Sequence, residues 1–495
     1  MYAFQLRTDL ATEVVEDAAR LWEKCMQLGN SLAIPELQQL PSKLLCYQAG
    51  RYTPEAEQGQ PTHFLKLIQP EGSLRFSSLE QPNNLTRIGS IGAFRLHDVY
   101  AIDLTLQYSK QVMAVSQLNC LNPQGCLLPQ AIQASVGQTL VLYVEPTEET
   151  TPDQALADEC VKALWQDTAF SPPTLVSQSQ FLGCPIFEYE TIPSPAAVHS
   201  NELQHLLIWF GKDQKQYELS FGKASRSLIY LLCCRHKIHF AYYQADQINR
   251  AARVLYNQLE SQSNDTFGQS HSQKQRLTGL KKLLKAICSL CNQLKGQSND
   301  TFGQPLSQKQ RLAGLEKLLD TMPHQAFQYT RHLRDLNDQL STIRSNLRNF
   351  SRWSQQWRSL KEANDDLAFW EEFQHTGEQF DEQIQVYLNY LKPGQNLFQQ
   401  MVDTAQGLVE VDSLKHSHRL ELIVVLVASM LEGTAISAKV NHHLTEVFWQ
   451  PTHAEGLGVL HGSLFHWQEI VLHFLVVGLP LGMLAWLIVL LLQKK

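Results

Sequence analysis

Apolar positions along this chain follow different rhythms in different stretches, and each rhythm predicts its own kind of element. Between about residues 60 and 220, short runs rich in Val, Ile, Leu, Phe, Tyr and Thr are bounded by Gly, Pro and Asn. Residues 62–68, 94–108, 139–144, 206–210 and 216–220 are such runs and predict strands. Ahead of them, residues 13–26 place Val14, Val15, Ala18, Trp22 and Cys25 on one side of an amphipathic helix. Residues 145–153 and 171–173 read as linkers or long loops. Residues 1–222 are therefore expected to form an α+β domain.

From about residue 223 the period changes to that of a helix, with few breakers over 228–260. A tandem duplication follows within the 223–325 region. Residues 257–284 and 292–319 share QSNDTFGQ, SQKQRL and GL at an offset of 35 residues. Two copies are too few for a solenoid, so each reads as a polar turn plus a short amphipathic helix. After Pro323, the positions Ala326, Tyr329, Leu333, Leu336, Leu340, Ile343, Leu347 and Phe350 form a three–four seam. The pattern returns at Trp370, Phe373, Gly377, Phe380, Ile384, Tyr387 and Leu391. Residues 326–417 are thus expected to be coiled-coil-like stalk helices, broken at Pro393-Gly394. A last helix from Gln395 has no strong stop until beyond Leu420.

Residues 418–495 read as a two-helix transmembrane hairpin. The run 470–492 lacks Asp, Glu, Lys and Arg, and at about 1.5 Å per residue it reaches across roughly 30 Å of hydrocarbon. A weaker apolar segment, 420–440, precedes it and contains Glu421 and Glu432. Lys415 and Arg419 flank the first segment, Lys494 and Lys495 the second, and residues 441–468 hold neither Lys nor Arg. The charge bias places both termini in the cytoplasm and the 441–468 loop on the outer side. The rival is a single span preceded by an amphipathic helix.

Composition changes this picture little. The formal net charge is −7, which gives no electrostatic reason to expect nucleic acid. The ten cysteines are scattered and read as reduced core thiols. The first residues lack the basic start and apolar run of a signal peptide. No G-x-x-x-x-G-K-[ST], H-E-x-x-H or G-x-S-x-G occurs, so the chain is read as a non-enzyme.

The order of parts resembles that of the CorA-like divalent-cation channels. In that family an α/β cytoplasmic domain, paired helices and a long stalk lead into two spans. The matching pieces are about 60–260, 326–391, 395–440 and 470–492. The family's Gly-Met-Asn signature is absent; Glu432-Gly433-Thr434-Ala435-Ile436-Ser437 stands in the corresponding region. The resemblance implies a homo-oligomeric membrane protein, with a divalent cation as transported or gating ion and no permanent cofactor. The alternative is a non-conducting, membrane-anchored binding or scaffold protein.

A carboxylate within a span faces a cavity or a partner. Glu432 and Glu421 are eleven residues apart, three helical turns, and so share a face. With Ser429 they are the pore-lining candidates, and in an oligomer they would form rings favouring cations. In the outer loop, His442, His443, His453 and Glu446 are candidate transition-metal ligands. Cys233, Cys234, His236 and His239, and separately Cys288 and Cys291, read as packing residues because neither group has a second ligand pair at zinc-site spacing.

Overall fold

Alternation along the N-terminal strands sorts side chains onto two faces of one large sheet. The computed structural model describes residues 1–9, 13–80, 85–108, 112–191, 203–212, 225–267, 308–360 and 365–412. Its strands are β1 (Tyr2–Leu6), β2 (Tyr47–Gln48), β3 (Arg51–Tyr52), β4 (Leu65–Lys66), β5 (Leu74–Glu80), β6 (Leu85–Leu96), β7 (Val99–Tyr108), β8 (Gly137–Val144), β9 (Thr174–Phe181), β10 (Cys184–Glu190) and β11 (His205–Phe210). Nine of them form a sheet in the order β4-β6-β7-β1-β8-β11-β10-β9, with β5 also paired to β6; β2 and β3 form a separate hairpin. Every pairing is antiparallel except β8 with β11. The sheet is therefore mixed, where an α+β arrangement was expected. The parallel pair arises because α2 (Gln154–Trp165) and the β9–β10 hairpin lie between its two strands in the chain, which is the long crossover a parallel pairing needs.

One face carries Phe187, Tyr189, Leu206, Ile208, Phe210, Ile102 and Leu104. They pack with Leu21, Trp22, Cys25 and Leu28 of α1 (Arg20–Ser31) and with Ala157, Cys160, Val161 and Leu164 of α2. Burying each large apolar side chain contributes about 1.5–3 kcal/mol. Asp153 caps α2, its carboxylate accepting from the Leu156 N–H at 3.0 Å. Beyond the β6–β7 turn, Glu57 is sealed in a cage of Arg7 (2.9 Å), Arg95 (3.0 Å) and the Tyr100 hydroxyl.

Against the other face lie residues 225–251 of α3 (Ser225–Phe267), 335–358 of α4 (Gln308–Arg358) and 368–390 of α5 (Ala368–Asp412). Trp357 packs on Phe181 and Trp209, ring centroids 4.7 and 5.9 Å away. Tyr230 stacks on Trp353 at 4.3 Å, and Tyr242 on Phe380 at 3.9 Å. Buried Asp365, just before α5, accepts from the backbone N–H groups of Leu182 (2.7 Å) and Gly183 (2.8 Å), pinning the β9–β10 turn. These residues belong to a unit of Met1–Ala251 with Asp335–Tyr390; the other unit is Ala252–Arg334 with Leu391–Lys495.

Several expectations are corrected. No helix among the described residues is long and apolar enough to cross a membrane. This overturns the membrane fold, the transmembrane assignment and the localisation with both termini inside and 441–468 outside. The described long helices carry charges at short intervals, such as Arg235, Lys237, Asp246, Arg250 and Arg253 in α3, so none offers an unbroken apolar stretch. Both expected spans, 420–440 and 470–492, lie outside the described residues, as do most of the duplicated segment and the expected strand 216–220.

The helix expected over 13–26 begins only at Arg20. Before it, Val14 bridges Thr8, and the Val15 N–H donates to the Arg7 carbonyl at 2.9 Å, so β1's continuation holds this segment extended. The run 94–108 is split by a turn at His97, whose φ is 55°. Pro323 and Pro393 both lie inside helices. Near Pro393, the Tyr329 hydroxyl donates to the Leu391 carbonyl at 2.6 Å, and Gly394 leaves room for the Tyr329 ring. Such partners let a helix carry a proline that would otherwise break it. The seam residues Tyr329, Leu336, Ile343 and Phe350 are buried as the spacing requires.

Candidate functional site

The helix-covered face of the sheet carries a row of polar side chains. Period two puts Glu188 and Glu190 of β10 on the side opposite Phe187 and Tyr189. The register pairs Glu190 with His205 of β11 and Glu188 with Leu207, while β11 runs parallel to β8 with Leu206 opposite Leu140. Thr139, one residue before Leu140, therefore lies beside His205. Glu188, Glu190 and His205 each offer a ligand atom, and these atoms lie within 4.8 Å of one another. Facing them, α3 contributes Arg235 and His236, both buried, and half-buried His239.

The hydrogen bonds form a directed chain. Thr139 Oγ1 is 2.7 Å from His236 Nε2 and 2.7 Å from His205 Nδ1. His205 Nε2 is 3.0 Å from Glu188 Oε1. Protons placed to satisfy every link run from His236 Nε2–H to the Thr139 oxygen, from the Thr139 hydroxyl to His205, and from His205 Nε2–H to Glu188. Gly137 makes the approach of His236 feasible. Its φ is 139°, and a Cβ there would stand 2.5 Å from His236 Nδ1.

Arg235 provides the positive charge. Its Nη2 donates to Glu188 at 3.2 Å and also to Glu190, and its guanidinium lies 4.7 Å over the Phe373 ring. Burial opposes that charge, but Glu190 and Glu188 more than compensate and raise the Arg235 pKa. Burial pushes the Glu188 carboxyl up despite Arg235. It acts the same way on Glu190, where Arg235, His205 and His239 prevail and hold the group below the usual carboxylate range. His205 and His236 are driven well below the ordinary imidazole value, by burial first and then by Arg235. His239 falls to about 3 for the same reasons. The histidines are thus neutral at pH 7, the form in which imidazole ligates a metal.

His239 and Arg235 are one turn apart on α3. The His239 ring lies 5.4 Å from Phe373 and 5.5 Å from Phe380 of α5. Its Nε2 is sealed from solvent and has no hydrogen-bond partner, and neither has Arg235 Nε.

Glu421, Ser429, Glu432, His442, His443, Glu446 and His453 all lie outside the described residues, as do Cys288 and Cys291. Of the residues read as packing, His236 bonds into the row through Thr139, and His239 lies one turn beyond Arg235 against Phe373 and Phe380. Cys233 and Cys234 are buried free thiols whose pKa burial raises. Glu188, Glu190, His205 and Arg235 were not singled out from sequence. The available signal was Glu-x-Glu inside an apolar strand, which commits two carboxylates to one buried face.

No family model, curated protein or solved structure matches this chain.

Proposed function

We propose that this chain is a divalent transition-metal-binding protein, in which ion occupancy on the sheet face is transmitted to the long helices covering it. The observation carrying this reading is the convergence of Glu188, Glu190 and His205 within 4.8 Å. Two carboxylates and an imidazole suit Zn²⁺, Co²⁺, Ni²⁺ or Mn²⁺ better than Mg²⁺, which prefers oxygen donors and retained water. With an ion on Nε2, His205 would carry its proton on Nδ1 and donate it to Thr139, reversing the metal-free direction of the chain and giving the usual outer-shell arrangement for a ligating histidine. The reading shares a divalent cation with the expectation drawn from the CorA resemblance, but it uses different residues and requires no conduction.

Arg235 favours a second reading, in which the cluster is only a buried ion-pair network. Calorimetric titration of the chelator-treated full-length chain with Zn²⁺ separates the two. Saturable binding of one ion per chain is expected, and the Glu188→Gln/Glu190→Gln double variant should lose it. A wild-type chain that is folded by circular dichroism yet takes up no Zn²⁺ selects the ion-pair network.

A further inference from the structure

The cluster holds a cation of its own, and one turn further along α3 is a ligand nitrogen without a hydrogen-bond partner. We infer that an incoming metal ion exchanges with the Arg235 guanidinium and takes His239 as a fourth ligand beside Glu188, Glu190 and His205. The inference rests on the metal-binding reading above and extends it to the residues that control the site.

Arg235 stands where a metal would. It contacts both carboxylates through the single nitrogen Nη2 while its Nε is left without an acceptor. An arginine holding a carboxylate well uses two parallel N–H groups of its fork. Here one edge does all the pairing and a buried donor is unsatisfied, which weakens the hold. With both carboxylates ionised, one guanidinium leaves the cluster one positive charge short of neutrality. A divalent ion in its place would balance the two carboxylates completely.

His239 supplies the second observation. A neutral imidazole carries one acceptor nitrogen, and a buried acceptor normally finds a donor. The Nε2 of His239 is sealed and partnerless, with the Phe373 and Phe380 rings near it; it is not among the ligand atoms that lie within 4.8 Å of one another, so its ring would turn toward an ion to bind it. It sits one turn beyond Arg235, on the same side of α3. Two oxygens and two imidazole nitrogens make a four-ligand set of the kind Zn²⁺ and Co²⁺ accept in tetrahedral sites. Arg235 and His239 both lie on Phe373, so the exchange would be registered by α5.

The test titrates the full-length chain with Co²⁺, whose visible absorption reports coordination geometry. Arg235→Met removes the internal cation and should tighten Co²⁺ binding by about tenfold or more. Arg235→Lys, which keeps the charge, should bind as the wild type does. His239→Gln should weaken binding by about tenfold and lower the intensity of the tetrahedral absorption bands. Unchanged affinity in Arg235→Met, or an unchanged spectrum in His239→Gln, overturns this inference while leaving metal binding itself standing. A wild type that is silent while Arg235→Met binds Co²⁺ supports the exchange, although the proposed function of the wild-type chain then fails. Absence of binding in both overturns the two together.

Discussion

Replacing Thr139 with Val tests whether the polar row is a connected network. The Thr139 side chain is fully buried, and its hydroxyl links His205 and His236 at 2.7 Å each. Valine has nearly the same shape and keeps the β-branched fit to a strand, so no cavity term arises. What is lost is the one group that bonds both rings. Leaving a buried polar atom unsatisfied costs about 1–3 kcal/mol, so two ring nitrogens give a range of about 2–6 kcal/mol. Small ring rotations relieve part of this, and a loss of about 3 kcal/mol is expected. Thr139→Ser keeps the hydroxyl and loses a methyl group, worth about 1 kcal/mol. The assay is urea unfolding followed by tryptophan fluorescence, with chelator present so that no ion contributes. At a slope of about 2–3 kcal/mol/M, the Val variant should unfold roughly 1–1.5 M earlier than wild type. Should Val prove as stable as wild type, or Ser prove the worse of the two, the hydroxyl is not the centre of the network.

Asp365→Ala should lower stability by about 2–4 kcal/mol, because both backbone donors of the β9–β10 turn lose a charged acceptor. Asp365→Asn, with one oxygen, should recover about half of that loss in thermal unfolding; equal Ala and Asn variants would show that the two oxygens do not act separately. Acid should also weaken the fold. His97 is depressed by burial and then by Lys237, and His236 by burial and then by Arg235. Both therefore stay neutral in the folded chain at pH values where the unfolded chain protonates them. Stability is full above the unfolded imidazole value of 6.5 and falls as pH drops below it. A urea midpoint that rises between pH 7.5 and pH 5 would contradict that sign.

What the sequence determined by itself was local. Covalent geometry imposes periods of 3.6 and two, so the seam through Tyr329, Leu336, Ile343 and Phe350 could be read directly, as could the strands at 139–144 and 206–210. The same arithmetic commits Glu188 and Glu190 to one face. Tertiary structure decided everything that joins distant segments. Thr139 stands beside His205 only because β8 and β11 pair in parallel across a long crossover. Arg235, His236 and His239 look like core positions of an apolar helix until the sheet face opposite them is known to be polar. The extended path of residues before Arg20 and the helical path through Pro393 were likewise set by partners elsewhere in the chain. Periodicity records which side of an element is turned away from water, whereas the groups that meet there depend on how all the elements bury those sides at once.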